Sequence, residues 1–302
     1  MLKPLLRRAR TALGLTVLIA GSAAQAAPAP AAHAARPALW AVSDADTTVY
    51  LFGTIHLLPS NYKWRTAKFD EVVAGSQQLV LETVVDESNP QEMMAALGAL
   101  AFAPGQPPIA ERVPPAKRPA LEAAIKKSGL PRPIFDRMET WAAAFMLLGN
   151  QFRELGLKNA EGVEAVLRNS FKTQGKSIGE LESIREQLGF FDTLPERSQR
   201  SLLEGALENN AAMRSDFGRM ISAWARGDVE AIARSFNRDL AQSPELKQAL
   251  LDRRNANWSR WVEKRMATPG SVMVAVGAGH LAGSGSVVDM LKRGGYKVRR
   301  LQ

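Results

Sequence analysis

The chain has 302 residues, of which 46% are hydrophobic and none is cysteine, with 39 basic against 30 acidic side chains. This length and apolar content support a substantial core and exclude global disorder, and the lack of cysteine excludes disulfides, cysteine-ligated zinc and a cysteine nucleophile. The formal charge of +9 comes from scattered basic residues, so we expect a solvated surface and no nucleic-acid binding.

The amino terminus has the residue order of a secretory signal peptide. Lys3 and three arginines precede an apolar run from Ala12 to Ala20, and small residues follow up to Ala24-Gln25-Ala26. The apolar run is about half as long as a bilayer span requires, which disfavours the alternative of an uncleaved anchor. We therefore predict a signal peptide over residues 1–26 and export to the periplasm or the medium, with no stable membrane span after cleavage. A second A-x-A sequence, Ala32-His33-Ala34, is the alternative cleavage site.

Residues 27–37 are almost only Ala and Pro and predict a tether that builds no core. His33 lies in this tether and is interpreted as an incidental linker residue. The folded domain is expected over residues 38–302.

The first part of this domain is predicted to form strands. Ala38–Val42 is a short apolar segment, and Thr47–Phe52 is β-branched and aromatic, which is typical of a buried strand. A helix is expected around Asp70–Ala74. Gln78–Val84 is another apolar strand with one acidic residue, Glu82, set into it.

The middle of the chain is predicted to be helical, as two insertions over about residues 86–176 and 184–266 with a short strand at Lys176–Glu182 between them. The chain then returns to a strand at Ser271–Val276, a helix at Gly285–Arg293 and a closing strand at Tyr296–Leu301. Strands and helices at both ends with a helical middle indicate an α/β fold. We predict a single sheet with a large helical insertion that covers its pocket.

Two matching segments carry the candidate chemistry. They are Val-Tyr-Leu-Phe-Gly53-Thr-Ile-His56-Leu and Met-Val-Ala-Val-Gly277-Ala-Gly-His280-Leu. Glycine allows backbone conformations that are closed to other residues and a close approach to a ligand. Each histidine would then lie past the carboxyl end of a strand, where open α/β sheets bind ligands. Because these are the two histidines of the domain, we expect them to converge on one pocket.

Histidine at such a place either binds a metal or acts as a general base, and the alternative is a core histidine with satisfied hydrogen bonds. A metal needs further ligands. Glu82 is the best candidate, because a carboxylate in a buried strand is costly unless it is paired or metal-bound; the alternative is an acid that faces solvent. Glu164, Glu180 and Glu182 are weaker candidates.

The segment Arg253–Trp258 combines arginine, asparagine and tryptophan. Arg254 and Asn255 are candidates to bind a substrate carboxylate or to stabilise an oxyanion. A surface helix is an equal alternative.

These residues together resemble the TraB/GumN family, which is similar to the animal Tiki proteins and more distantly to the erythromycin esterases. The resemblance runs from about Trp40 to Val298 and implies an α/β hydrolytic site with His56, His280 and Glu82 at its centre. The similarity to the Tiki proteins implies a metal-dependent peptidase that prefers manganese or cobalt. The resemblance rests on Tyr50–His56, Glu82, Gly162–Glu164, Glu180–Glu182, Gln187, Trp224, Gly227-Asp228, Arg254-Asn255, Trp258, Val274–Gly283 and Gly295-Tyr296.

Two hypotheses remain open at this point. In the first, the protein is a peptidase-like hydrolase that activates water on manganese, cobalt or zinc held by His56, His280 and Glu82, with Arg254 and Asn255 as further catalytic residues. A metal-free variant uses one histidine as the base. In the second, the same pocket sequesters a peptide, a small molecule or haem without turnover. In the first hypothesis the candidate substrate-binding residues are Gly53, Gly277, Glu164 and Glu182.

Overall fold

A computed structural model describes residues 35–85, 91–158, 162–240 and 243–302. The predicted signal peptide and the tether up to residue 34, including His33, lie outside the described residues. Within the described ranges, no helix is long and apolar enough to cross a membrane.

The centre of the fold is a mixed sheet of six strands in the order β6-β4-β7-β2-β1-β8. The first four strands in this order are parallel neighbours, and β1 pairs antiparallel with both β2 and β8. The predicted α/β class and its strands are therefore confirmed. The strands are β1 Leu39–Ser43, β2 Thr47–Thr54, β4 Gln78–Leu81, β6 Ser177–Glu180, β7 Gly270–Gly277 and β8 Val298–Arg300, and a separate two-stranded sheet joins β3 Leu58–Pro59 to β5 Leu157–Lys158.

Both faces of the large sheet are buried, because its central strands are apolar on both sides. In β7, Val272, Val274 and Val276 pack into one apolar cluster, whereas Met273 and Ala275 pack into the cluster on the opposite face. Successive side chains of a strand point to opposite faces, so a continuous apolar run is what a strand covered on both sides requires.

Helices flank the sheet and form most of the middle of the chain. Breaks between successive helices lie near Pro195, Gly227 and Pro244. The helices are α1 Ala67–Gly75, α2 Gln91–Leu100, α3 Arg118–Ser128, α4 Arg132–Arg137, α5 Thr140–Glu154, α6 Val163–Thr173, α7 Ile184–Asp192, α8 Glu196–Gly205, α9 Asn210–Ala225, α10 Val229–Leu240, α11 Pro244–Lys247, α12 Arg253–Arg265 and α13 Val287–Arg293.

A break at Met138-Glu139 separates α4, which ends at Arg137, from α5, which begins at Thr140. The buried guanidinium of Arg112 donates to the carbonyl oxygens of Asp136 and Met138 at 2.8 and 2.6 Å. Because these carbonyls are satisfied by a side chain, the backbone can leave the helix there without an unpaired buried acceptor. Because Arg112 is distant in sequence, the hydrophobic periodicity of residues 132–154 does not predict the break.

Candidate functional site

The site lies where the four parallel strands end. His56 follows β2 by two residues, Glu82 follows β4 directly, Glu182 follows β6, and His280 lies in a short 3-10 helix that follows β7. Because these strands are parallel and adjacent, their carboxyl ends meet along one edge of the sheet.

Gly277, the last residue of β7, lies at the centre of this group. A β-carbon added there would be 3.2 Å from Oε1 of Glu82, 3.6 Å from Cδ2 of His280 and 3.9 Å from Nε2 of His56. The two histidines and the acid therefore converge on one point. Gly53 instead faces backbone, since its added β-carbon would be 3.0 Å from Cα of Ala278.

The expectation that these two glycines adopt conformations closed to other residues was wrong. Gly277 has a φ of −49°, and Gly53 is absent from the positive-φ residues of the described chain. Both positions favour glycine for space, because a β-carbon there would make tight contacts at 3.0–3.2 Å and its neighbours would have to shift by a few tenths of an ångström.

His56 is paired with an acid from the helical middle. Its Nδ1 lies 2.7 Å from Oε1 of Glu164, near the start of α6, and the hydroxyl of Thr54 donates to the same oxygen. Burial alone would lower the pKa of His56, but the attraction and hydrogen bond of Glu164 outweigh it and raise the pKa to about 9. Its side chain is 20% exposed. His56 is therefore a protonatable group with its Nε2 side turned towards Gly277.

His280 has different neighbours and is held neutral. Nδ2 of Asn255 donates to the carbonyl of Gly285 at 2.8 Å, which turns the amide oxygen towards Nδ1 of His280 at 2.7 Å. Nδ1 therefore carries the proton, and Nε2 is left to accept from Nη1 of Arg254 at 3.2 Å. Burial and the positive charge of Arg254 lower the pKa of His280 to about 3. The ring also packs on Trp258, with centroids 4.4 Å apart.

Glu82 is buried and fully engaged, as the cost of a lone carboxylate predicts. Its Oε1 accepts from the backbone N–H of Gly277 at 2.6 Å, and its Oε2 accepts from Arg254 at 2.6 Å and from Gln187 at 3.3 Å. Burial would raise its pKa, but Arg254 and the two histidines lower it to about 2. Glu82 is therefore ionised at neutral pH.

Arg254 and Asn255 lie in the site and not on the surface. Both are at the start of α12, directly after a turn of π-helix at Gln248–Asp252, and they are only 6% and 3% exposed. Such π-turns occur often at functional sites.

A pocket that is partly open to solvent lies over this edge of the sheet. His56, Glu82, Arg254, Gly277 and His280 line it. Gly53, Glu164, Glu182 and Asn255 touch these lining residues from behind, and Glu180 instead accepts from the backbone of Val84. Most of the apolar part of the wall was not singled out from the sequence. It is Ile55, Leu57, Phe152, Phe191, Phe217, Met220, Trp224, Ile232, Phe236 and Leu250.

The predicted metal ligands do not fit a metal in this arrangement. Among the described residues, no group of three or more His, Asp or Glu side chains has the geometry to hold an ion. The reason is visible in the contacts: the guanidinium of Arg254 lies against both Nε2 of His280 and Oε2 of Glu82.

Comparison with known proteins identifies a family and two relatives of this chain. The profile of the TraB/PrgY/gumN family matches residues 38–300. The chain is 24% identical over 264 residues to the uncharacterized protein YbaP of Escherichia coli K12, covering 86% of this chain and 94% of YbaP. It is 25% identical over 247 residues to YbaP of Shigella flexneri, covering 80% of this chain and 87% of that protein. No solved structure matches.

Proposed function

The chain belongs to the TraB/PrgY/gumN family, and we propose that its pocket is the active site of a peptidase-like hydrolase in which His56 activates water. One observation carries the proposal: His56 lies in the pocket with Nδ1 bound to Glu164 at 2.7 Å and Nε2 turned towards Gly277 beside Glu82. A histidine oriented by a carboxylate through one nitrogen and free at the other is the arrangement that general bases use in acyl transfer.

In the proposed reaction the two ring nitrogens of His56 have different roles. Nε2 of neutral His56 takes a proton from water, whose oxygen attacks the substrate carbonyl. The imidazolium then returns the proton to the leaving nitrogen or oxygen as the carbonyl–heteroatom bond breaks. Glu164 holds the proton on Nδ1 throughout and stabilises the imidazolium, which agrees with the raised pKa of about 9.

The shape of the pocket supports a substrate with an apolar group next to the scissile bond. The charged groups lie at the sheet edge, while aromatic side chains from α5, α9 and α10, namely Phe152, Phe217 and Phe236, form part of the apolar wall. Pockets with apolar walls and a few polar groups orient ligands in this way. We propose a peptide, or a small ester or amide, as the substrate class.

We also propose that the two Gly-x-x-His segments and the inserted helices together form one active site. The strands supply the histidines, and the helices between them supply Glu164, Arg254 and the aromatic wall. The signal-peptide pattern at residues 1–26 supports a place of action outside the cytoplasm.

A second candidate, sequestration of a peptide or haem without turnover, is favoured by the size of the apolar wall. In that case His56 would be the group that contacts the ligand, because both nitrogens of His280 already have partners.

The test is incubation of the purified protein with a peptide library and a panel of amino-acid esters, followed by mass spectrometry. We expect cleavage next to apolar residues, lost in His56→Ala. The matched control is His33→Ala, which removes the histidine of the predicted tether and should cleave like the wild type. Retention of a peptide without products by both proteins would replace the hydrolase with the sequestering function.

A further inference from the structure

The buried arginine of the site has an unusual set of partners. Nε of Arg254 lies 3.1 and 2.9 Å from the two carboxylate oxygens of Glu182, Nη2 lies 2.6 Å from Glu82, and Nη1 lies 3.2 Å from His280 and 3.4 Å from the carbonyl of Leu250. Nη2 is also 2.9 Å from Glu182. All three guanidinium nitrogens therefore face protein acceptors.

The faces of the guanidinium are covered as well. Its central carbon lies 4.6 Å from the ring centroid of Trp258 and 5.5 Å from that of Phe190. Aromatic rings stabilise a cation over their faces. The side chain of Arg254 is only 8% exposed. Hydrogen bonds at the edges of the guanidinium and aromatic rings over its faces therefore fix the position of the charge.

The acceptors around Arg254 are those that a divalent ion would choose. Two carboxylates and an imidazole nitrogen with a free lone pair form an oxygen and nitrogen donor set that suits manganese, cobalt or zinc. The lone pair of His280 is available only because Asn255 fixes the proton on the other ring nitrogen. Such a partner behind a histidine is a usual feature of metal sites.

We propose that Arg254 is the resident cation of this donor set, so that the protein holds no divalent ion there. Replacement of Arg254 by a small neutral residue lets Glu82, Glu182 and His280 move into the space of the guanidinium and form a divalent-cation site. A metal ion and the guanidinium exclude each other, because both require the same two lone pairs of His280 and Glu82. This inference concerns cation binding and does not depend on the hydrolase proposal.

The test is metal binding by full-length protein purified without a histidine tag and stripped with a chelator. Wild type, Arg254→Ala and Arg254→Met are titrated with Co²⁺, with bound metal measured by mass spectrometry and coordination followed by visible absorption. We expect substoichiometric metal in the wild type and about one ion per chain in the Arg254 variants, with the absorption of a nitrogen- and oxygen-ligated ion.

Two further variants connect the ion to these residues. Arg254→Ala combined with His280→Ala, and Arg254→Ala combined with Glu182→Gln, should each bind Co²⁺ at least about tenfold more weakly than Arg254→Ala. An Arg254 variant that is unfolded without metal and folds on adding Co²⁺ also supports the proposal, because ligand binding stabilises the folded state.

The wild type keeps the proposal falsifiable even if every variant fails to fold. One tightly bound ion per wild-type chain, lost on His280→Ala, would overturn the proposal and restore the metal predicted from the sequence. Folded Arg254 variants that bind no Co²⁺ would overturn it equally.

Discussion

His56 and His280 follow the same sequence pattern after neighbouring parallel strands, yet their surroundings differ in charge and exposure. His56 contacts a carboxylate, is 20% exposed and has its pKa raised to about 9. His280 contacts an amide and a guanidinium, is 8% exposed and has its pKa lowered to about 3. His56 is a protonatable group that faces the pocket. His280 is a neutral imidazole that accepts a hydrogen bond from Arg254.

The difference shows that a repeated strand-end motif fixes the position of a histidine but not its role. The role comes from helices inserted between the two motifs: α6 brings Glu164 to His56, and α12 brings Arg254 and Asn255 to His280. The predictions that follow test this asymmetry, beginning with the largest expected effect.

The first prediction is that turnover depends on His56 far more than on His280. In His56→Gln the amide can still donate to Glu164, but no base remains, so kcat/KM should fall by about 10²–10⁴-fold while circular dichroism shows an intact fold. In the wild type kcat/KM should rise with pH through about 9, where half of His56 is deprotonated, and level off above it. A flat profile from pH 7 to 10 would remove His56 as the base.

The second prediction is that His280→Ala damages stability first. The substitution removes one of the two acceptors of Nη1 of Arg254, leaves the oxygen of Asn255 without its imidazole partner and opens space beside Trp258. Each buried unpaired group costs about 1–3 kcal/mol, so chemical denaturation should show at least that loss in the free energy of unfolding. Unchanged stability with abolished turnover would give His280 the role proposed for His56.

The strands of the sheet and the two histidines at the centre of the site could be predicted from the sequence. The strands are apolar runs bounded by turns, and the domain has so few histidines that both could be assigned to a strand end. The partners could not be predicted in the same way. Glu164 lies far from His56 in sequence and Asn255 lies 25 residues before His280. The sequence indicated both as candidates but not which histidine each contacts, and Phe152, Phe217 and Phe236 have the spacing of ordinary core residues.

The third prediction concerns the pH dependence of unfolding. The folded-state pKa of His56 is raised from 6.5 to about 9, so the native chain binds the extra proton and this stabilisation is lost as pH rises from 6.5 through 9. The folded-state pKa of His280 is lowered from 6.5 to about 3, so the unfolded chain binds more protons and stability is lost as pH falls below 6.5. Each pKa unit corresponds to about 1.4 kcal/mol.

The measurement is the free energy of unfolding between pH 4.5 and 9 for the wild type and two variants. His56→Gln should reduce the alkaline slope alone, and His280→Asn should reduce the acid slope alone. The lower limit avoids the titration of Glu82, whose pKa is lowered from 4.5 to about 2. Loss of the same slope in both variants would contradict the asymmetry.

The last prediction extends the comparison to the two motif glycines and has the smallest effect on stability. An added β-carbon at Gly53 meets backbone, at 3.0 Å from Cα of Ala278, whereas one at Gly277 meets the carboxylate of Glu82 at 3.2 Å. Since backbone yields less readily than a side chain, Gly53→Ala should lower the free energy of unfolding by about 1–3 kcal/mol. Gly277→Ala should cost less stability but reduce turnover more than Gly53→Ala, because its methyl group occupies the space between the two histidines.

Gly98→Ala in α2, where nothing lies within 4 Å, is the control and should be neutral or stabilising by about 0.5–1 kcal/mol. If Gly277→Ala keeps full turnover, that space is not where the substrate reacts, and the proposed site would have to move along the pocket away from His280.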